Sequence, residues 1–311
     1  MRLDLSTQLA NRLVLGTFEF RRLSEAKAAA ILDRYFEMGG VWVDTAGFYG
    51  HGEVEARLGR YFRTRRPKRR LATKLGHFNR AEAYRCAPTV EEVYARAVER
   101  LDSLPDLVLL HEADWAVWWS PGQTVGRVLD EHTAIGPRAP AWAVLREIKS
   151  LLSCQIGVTG NNAMALSRVV PALSPDAVLV AKQFDLLWRT AVCLAHVAED
   201  CGAKIWLGAP FHQGWLMRLS EVASGNDERG AAARRLAASL QARRILPQDI
   251  AVRFVLEAWP EALVVFGVAS VKELMSAIRS AATPLSDGLL AELMTSGFAG
   301  DPMAGPEPIR R

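Results

Sequence analysis

Two kinds of apolar pattern alternate along the chain. Short runs of apolar, often β-branched residues are separated by longer stretches in which apolar residues recur at intervals of three and four. The short runs are typical of strands and the longer stretches of amphipathic helices. The predicted strands are 12–17, 41–45, 70–74, 107–111, 155–159, 178–183, 204–208 and 263–267.

Capping signals mark several helix ends. Thr89 with Glu92, and Ser270 with Glu273, have the spacing of a capping box, which predicts that a helix begins at each. The pair 39–40, both glycines, predicts the end of the first long helix, because glycine tolerates the left-handed backbone common at helix C-termini.

Eight strand–helix units without a long linker predict an α/β fold in which one (β/α)8 TIM barrel forms a single domain over residues 1–311. A doubly wound sheet also alternates strands with helices, but no G-x-G-x-x-G follows any predicted strand. Long loops are expected at 112–140 and 209–247, with an extra helix within 225–244. The sequence leaves open whether the C-terminal tail, 284–311, folds over the C-terminal ends of the strands.

Composition is that of an ordinary globular protein, with 50% hydrophobic and 23% charged residues, which excludes disorder. The four cysteines have no CxxC spacing, which favours a reducing compartment over a disulfide framework. There is no signal-like apolar segment at the N-terminus and no apolar run of about 18 residues. We therefore expect a cytoplasmic protein with no membrane partner.

The net charge of +4 comes from one short segment. The chain has 38 basic and 34 acidic residues. Six of the basic residues lie within 63–70, and without them the chain would be slightly acidic. This segment is predicted to be a loop at the N-terminal end of the barrel, on the face opposite the C-terminal ends of the strands. The charge therefore predicts a solvated loop, and no nucleic-acid partner is expected.

Four ionisable residues lie at or just after the C-terminal ends of consecutive predicted strands. Asp44 ends the second strand and is followed by Tyr49, while Lys74 and His111 end the third and fourth strands. The C-terminal ends of barrel strands carry the chemistry of barrel enzymes. We expect these four side chains to converge there.

The four residue types form a coherent set for proton transfer to a carbonyl group. A phenol with a pKa near ~10 is a weak acid, and a nearby ammonium lowers that pKa. The ammonium needs a carboxylate partner when buried, and an imidazole can orient the carbonyl oxygen. Such a set has no reductant of its own, so it predicts a hydride-carrying cofactor.

The chain resembles the aldo-keto reductase family over most of its length. The matching stretches are LVLGT, VDTAGFYGHGEVEARLG, ATKLG, LDSLPDLVLLHEAD, IGVTGN, GAPFHQGWL and VVFGVASVKEL. The family's catalytic residues map onto Asp44, Tyr49, Lys74 and His111. The motifs YGHG, TKLG, LHEAD and GAPF look most like the aldose and sugar 1-dehydrogenase branch.

This resemblance implies an NAD(P)-dependent oxidoreductase acting on an aldehyde, ketone or aldose. Tyr49 would be the general acid in reduction and the base in oxidation. Lys74 would tune Tyr49, Asp44 would hold Lys74, and His111 would position the substrate oxygen. The partner is then a small-molecule carbonyl compound or sugar. The sequence does not decide between a monomer and a homo-oligomer.

The resemblance also implies cofactor contacts, several of which depart from the family pattern. The expected contacts are Gly16, Thr17, Asp44, Thr159, Asn161, Gln183, Ala209, Pro210, Phe211, Gly214, Leu216, Gly267, Ser270 and Lys272. Asn161 is displaced by one position, and Ala181 stands where the family has glutamine. Gln183 is expected to substitute, because it lies two residues further along and points to the same face. The usual stacking aromatic is replaced by Gly208.

The sequence leaves the choice of cofactor open. After Gly267 the nearest cation is Lys272, whereas the family usually carries Lys or Arg sooner. The helix starting near Ser270 still offers free N–H groups to an anion. NADP is expected, with NAD as the alternative.

Three further hypotheses stay open. Lys182 could form a Schiff base, as in barrel aldolases. A metal hydrolase could use His51 with Glu53, or the ligands His111, Glu112 and Asp114, but no H-x-H motif occurs and we expect no metal. A protein of the same fold could bind cofactor and serve as a regulatory subunit.

The loop tryptophans could line a substrate cleft or pack the loop onto the barrel. They are Trp115, Trp118 and Trp119. We predict that Trp118→Ala changes KM more than stability.

Overall fold

A computed structural model describes residues 5–298, in which eight parallel strands close into a barrel in chain order. The strands are β1 (Leu13–Gly16), β2 (Trp42–Asp44), β3 (Arg70–Leu75), β4 (Leu107–Leu110), β5 (Gln155–Gly160), β6 (Ala177–Ala181), β7 (Lys204–Gly208) and β8 (Leu263–Gly267). Pairing of β1 with β8 closes the barrel. The predicted (β/α)8 TIM barrel is therefore confirmed, and the doubly wound alternative is wrong.

Helices surround the barrel. The α-helices are α1 (Thr7–Arg12), α2 (Glu25–Glu37), α3 (Glu53–Arg65), α4 (Ala87–Leu101), α5 (Pro140–Leu152), α6 (Ala163–Leu173), α7 (Ala195–Asp200), α8 (Leu219–Ala223), α9 (Glu228–Arg243), α10 (Pro247–Ala258), α11 (Val271–Ala282) and α12 (Asp287–Ser296). Short 3-10 helices cover Phe18–Arg22, Tyr49–Gly52, Ala81–Arg85, Ala116–Trp118, Thr190–Leu194 and His212–Arg218.

The capping predictions have mixed outcomes. Ser270 caps α11 as predicted, since its hydroxyl accepts from the Glu273 amide and the Glu273 carboxylate accepts from the Ala269 amide. The box at Thr89 is wrong: α4 begins at Ala87, and proline occupies its first turn. Proline is favoured there because the first helical amides have no intrahelical partner.

The lumen of the barrel is closed by side chains, which places the polar residues at one end. Trp42 and Trp206 meet edge to face inside it, with ring centroids 5.0 Å apart. Ala72 and Leu109 belong to the same internal cluster. Successive strand residues alternate between faces, so the residues two positions after Trp42, Ala72 and Leu109 also point inward. Those residues are Asp44, Lys74 and His111.

The long connections contain regular structure. The helix predicted within 225–244 is confirmed as α9. The described part of the tail forms α12 and packs on the segment after β6, where Arg189 donates to the carbonyl of Leu293 at 2.6 Å and Trp188 forms a β-bridge with Phe298. The tail residues 299–311 lie outside the described residues. No helix in the described part of the chain is long and apolar enough to cross a membrane.

The basic segment lies at the N-terminal end of β3, on the opposite side of the barrel from the strand C-termini, as predicted. Part of it is helical rather than loop, because α3 continues to Arg65. Arg63 pairs with Asp102 and Arg65 with Asp33, while the Arg69 guanidinium lies over the Phe62 ring. Three of the basic side chains in this segment therefore have partners within the same chain.

Candidate active site

The centre of the site is a buried ion pair that reaches a tyrosine. The Lys74 ammonium donates to both carboxylate oxygens of Asp44, at 2.7 and 2.6 Å, and to the Thr45 carbonyl at 2.8 Å. Its Nζ lies 3.2 Å from the Tyr49 hydroxyl. The inward alternation of β2 and β3 brings Asp44 and Lys74 together, and the short helix that follows β2 returns Tyr49 over them.

Burial and charge act against each other in this group. Burial disfavours the ammonium, but the charges of Asp44 and Tyr49 outweigh it and raise the pKa of Lys74. Burial raises the pKa of Asp44, with Lys74 opposing it. Burial also raises the pKa of Tyr49 more than Lys74 lowers it. The expected lowering of the tyrosine pKa by the ammonium is therefore present, but burial outweighs it and Tyr49 is a protonated phenol at neutral pH.

His111 completes the group. Its ring centroid lies 6.1 Å from that of Tyr49, and the residue is 8% exposed. Burial first, then the charges of His77 and Lys74, lower the pKa of His111 well below its usual value. The imidazole is therefore neutral and retains one N–H and one lone pair. Its Nδ1 is buried without a hydrogen-bond partner among the described residues.

The glutamate that ends the YGHGEVE motif supports this group from behind. Glu55 is fully buried and accepts from the Thr73 hydroxyl at 2.6 Å and from the Arg100 guanidinium at 2.8 and 2.9 Å. Because Thr73 precedes Lys74 on β3, this contact holds the strand that carries the ammonium. A Cβ at Gly52 would lie 2.8 Å from Arg100, so the glycine leaves room for the guanidinium.

The tryptophans of the 112–140 loop divide between the core and the rim. Trp118 is fully buried, donates to the His111 carbonyl at 3.0 Å and packs edge-on against Tyr84. Trp119 is also buried and donates to the Ala113 carbonyl at 2.8 Å. Only Trp115 is partly exposed. The cleft role predicted for Trp118 is therefore wrong, because its ring packs the loop and has no exposed surface.

A second polar cluster lies beside His111 and was not anticipated as a unit. His77, two residues after β3, stacks on Phe48 at 3.9 Å and meets His111 at 4.4 Å between ring centroids. Its Nε2 lies 3.7 Å from a Glu112 oxygen. Glu112 in turn accepts from the Asn161 side chain at 2.7 and 2.8 Å. The only sequence signal was the position of these residues just after strand ends.

Asn161 and Asp114 bind each other across two strand ends. One Asp114 oxygen accepts from the backbone amides of Asn161 and Asn162, each at 2.8 Å. Burial, and next the charge of Glu112, raise the pKa of Asp114 well above its usual value. The side-chain nitrogen of Asn161 donates its hydrogen bonds to Glu112. Its role as a cofactor contact remains a prediction.

The alternation argument for Gln183 fails. Strand β6 ends at Ala181, and Lys182 has a left-handed backbone with φ of 64°, which interrupts the two-residue period. The Gln183 side-chain oxygen accepts from the Thr190 hydroxyl at 2.8 Å. Burial lowers the pKa of Lys182, and Glu112 and Asp114 oppose this.

The connection after β7 is held by a buried His–Asp pair. Nδ1 of His212 lies 2.7 Å from Asp185, and the His212 ring stacks on Trp188 at 3.7 Å. Both members are at most 3% exposed. The pair anchors the segment that contains five of the predicted cofactor contacts, which are Ala209, Pro210, Phe211, Gly214 and Leu216. No local motif predicts this pair, because its members are 27 positions apart.

The remaining predicted cofactor contacts lie at the ends of β1, β5 and β8. Gly16 pairs with both Asp44 and Gly267, so two strand ends without side chains lie side by side. Thr17 is buried, and its hydroxyl donates to the Asp44 carbonyl at 3.0 Å. Thr159 is 4% exposed on β5. Ser270 and Lys272 lie at the start of α11, where Lys272 is exposed.

The fold and this group of residues define a class, a (β/α)8 barrel with a Tyr–Lys–Asp–His group at the strand C-termini. The sequence matches the model of the Aldo/keto reductase family across residues 12–295, so the chain belongs to this family. Membership implies an NAD(P)-dependent oxidoreductase with a small-molecule carbonyl substrate.

A solved structure supports the fold. The chain is similar to the aldo-keto reductase AKR11C1 from Bacillus halodurans (holo form), with a TM-score of 0.72 and 20% identity over 96% of this chain and 95% of that one. Among curated proteins, none matches this sequence.

Proposed function

We propose that this protein transfers hydride reversibly between a nicotinamide cofactor and an aldehyde, ketone or aldose, with Tyr49 as the acid and base. One observation carries the proposal: the buried Lys74 ammonium joins the Asp44 carboxylate to the Tyr49 hydroxyl, 3.2 Å away. This arrangement holds a positive charge beside the phenol, where it stabilises the phenolate that forms as the proton leaves.

Each residue has a distinct part in the proposed reaction. In reduction, Tyr49 donates its hydroxyl proton to the carbonyl oxygen, and in oxidation the phenolate takes the alcohol proton. Lys74 stabilises the phenolate, and Asp44 keeps Lys74 charged. The neutral His111 ring offers an N–H to the substrate oxygen. A bound nicotinamide supplies or accepts the hydride.

The residues at the ends of β1, β7 and β8 suit a dinucleotide. The bare strand end at Gly267 leaves space at the barrel end, since a Cβ there would have no neighbour closer than 3.8 Å, whereas a Cβ on Gly16 would lie 3.2 Å from Val265. The first amides of α11 have no intrahelical partners and favour an anion.

NADP is proposed as the cofactor, with Lys272 near its 2′-phosphate. The Glu273 carboxylate caps the same helix end and opposes that charge. We therefore expect weak discrimination, measurable as similar Kd values for NADPH and NADH in fluorescence titrations. Glu273→Gln should tighten NADPH more than NADH.

Two further statements belong to this proposal. The described cysteines are all free, which supports a cytoplasmic location. The rim combines aromatic and polar side chains, Phe48 and Trp115 beside His77 and Glu112. Such a lining suits a hydroxylated carbonyl compound such as an aldose.

The test is Tyr49→Phe, which removes only the hydroxyl. Turnover of short aldoses and aldehydes should fall by about 10²- to 10⁴-fold, while the Kd of NADPH changes little. Tyr94→Phe is the matched control, because this tyrosine lies on α4 and its hydroxyl has no hydrogen-bond partner within residues 5–298. Full turnover in Tyr49→Phe would refute the assignment. Cofactor binding with no turnover in the unmodified protein would favour the regulatory subunit.

A further inference from the structure

Three side chains at the strand C-termini converge as potential metal ligands. One ligand atom from each of His77, His111 and Glu112 lies within 4.8 Å of the others. His77 and His111 come from the ends of β3 and β4, and Glu112 directly follows His111. The pairing of β3 with β4 brings His77 close to His111 and Glu112.

The spacing is close to that of a bound ion. Ligand atoms about 2.1 Å from a tetrahedral zinc ion lie about 3.4 Å from each other. The His77 Nε2 to Glu112 oxygen distance is already 3.7 Å. No two of the three ligand atoms are more than 4.8 Å apart, so binding an ion requires them to approach by roughly 1 Å. Both His77 and Glu112 retain some exposure, at 17% and 12% of their side chains.

The ligand set is held in place and chemically ready. Both Glu112 oxygens accept from the Asn161 side chain, the kind of outer contact that orients a metal-binding carboxylate. His77 is fixed by stacking on Phe48. His111 is more than nine-tenths buried, and its Nδ1 has no partner in the described part of the chain.

We propose that His77, His111 and Glu112 form a site for a divalent first-row metal ion such as Zn²⁺, which competes with the carbonyl substrate. Two imidazoles and a carboxylate suit this class of ion and leave a fourth position for water. This proposal differs from the expectation of no metal. That expectation rested on local sequence motifs, which do not include ligands as far apart in the sequence as His77 and Glu112. Coordination takes the His111 lone pair and places a cation next to Tyr49, so the bound ion blocks the position of the substrate oxygen.

Lys182 opposes the ion. Its ammonium interacts with the charges of Glu112 and Asp114, so a cation bound to Glu112 competes with it for that carboxylate. Removing this charge should therefore strengthen metal binding. Lys182→Met removes the charge and keeps an unbranched side chain that is shorter by one atom.

The binding test uses the full chain without cofactor, treated with chelator and then titrated with Co²⁺ by visible absorption and with Zn²⁺ by calorimetry. A Cys86→Ser background removes the thiol whose pKa is lowered by the Thr89 contact, since thiols also bind zinc. We expect one ion per chain. His77→Phe keeps the stacked ring without nitrogens and should weaken binding by at least about tenfold, as should Glu112→Gln.

The controls separate this site from others. His132→Ala should bind normally, because that side chain is 87% exposed and outside the cluster. No binding to the intact chain, or equal binding in His77→Phe and Glu112→Gln, would overturn the proposal. If Glu112→Gln fails to fold, His77→Phe and the tighter binding expected of Lys182→Met decide the question.

The competition part rests on the proposed function and is tested separately. Zn²⁺ should raise the KM for the carbonyl substrate, and less so in His77→Phe. Metal binding without such competition would refute the inhibitory role but would still support the metal site. A chain that binds metal but shows no turnover would count against the proposed function alone.

Discussion

The Lys74 ammonium and the Asp44 carboxylate form a salt bridge at 2.6 Å in which the two side chains are only 3% and 4% exposed. A buried pair of this kind is costly to break, because removing one charge leaves the other desolvated without a partner. Its contact with Tyr49 makes the same pair a requirement for the proposed chemistry. Stability and turnover should therefore respond together to some substitutions and separately to others.

Asp44→Asn should destabilise the protein by about 3–5 kcal/mol in urea unfolding, because Lys74 loses its counter-charge. Turnover should fall as well, since the charge of Asp44 helps to keep Lys74 protonated. The double variant Asp44→Asn/Lys74→Met should regain much of the stability but not the turnover. For comparison, Glu37→Gln breaks the exposed pair with Arg34 and should cost less than about 1 kcal/mol. An Asp44→Asn protein as stable as the original would contradict the prediction.

The pH dependence should differ between the two directions. Reduction needs the protonated phenol, and the raised pKa of Tyr49 keeps it protonated at neutral pH. The pKa of His111 is lowered, so the ring stays neutral as the pH falls through its ordinary value of about 6.5. Reduction kcat/KM should therefore be flat between about pH 6 and 9, while oxidation should rise with pH toward and beyond about 10. A fall in reduction on acidification through about pH 6.5 would show that His111 titrates normally.

Trp118→Ala should act on stability rather than on substrate binding. The ring is fully buried and its N–H holds the His111 carbonyl, so truncation should cost about 3–5 kcal/mol in unfolding free energy. Trp115→Ala is the matched comparison, because that ring is partly exposed and meets His77 edge-on at 5.1 Å. It should change KM more than stability. The reverse pattern would restore the cleft role to Trp118.

Asp185→Ala should loosen the connection after β7. It removes the partner of His212 and the acceptor for the Leu187 and Trp188 amides. We expect faster hydrogen exchange over 209–218 and a higher Kd for NADPH, with turnover at saturating cofactor largely kept. Asp227→Ala in the same connection removes the cap of α9 and an ion pair with Arg229, and should leave NADPH affinity unchanged. Equal effects of the two variants would show that the loop does not depend on the His–Asp pair.

Several features follow from the sequence alone. The alternation of strands and helices predicts the barrel, because each element must bury one face against the next. The two-residue period of β2, β3 and β4 places Asp44, Lys74 and His111 on the inner face of the barrel, on the C-terminal side of the apolar side chains that fill it. Local chemistry also predicts the cap at Ser270, which depends on residues only three positions apart.

Other features of the site depend on contacts between residues that are far apart in the sequence. The direction of the Tyr49 pKa depends on desolvation, a property of the packing around it and not of its neighbours in the sequence. Gln183 does not follow the two-residue alternation of β6 because Lys182 has a left-handed backbone. Trp118 is buried in the core because its loop folds onto the barrel. His77 meets Glu112 through the pairing of β3 with β4, which brings residues 35 positions apart to one rim. Local patterns determine which way a strand residue faces, whereas contacts beyond the strand ends depend on how the loops close over the barrel.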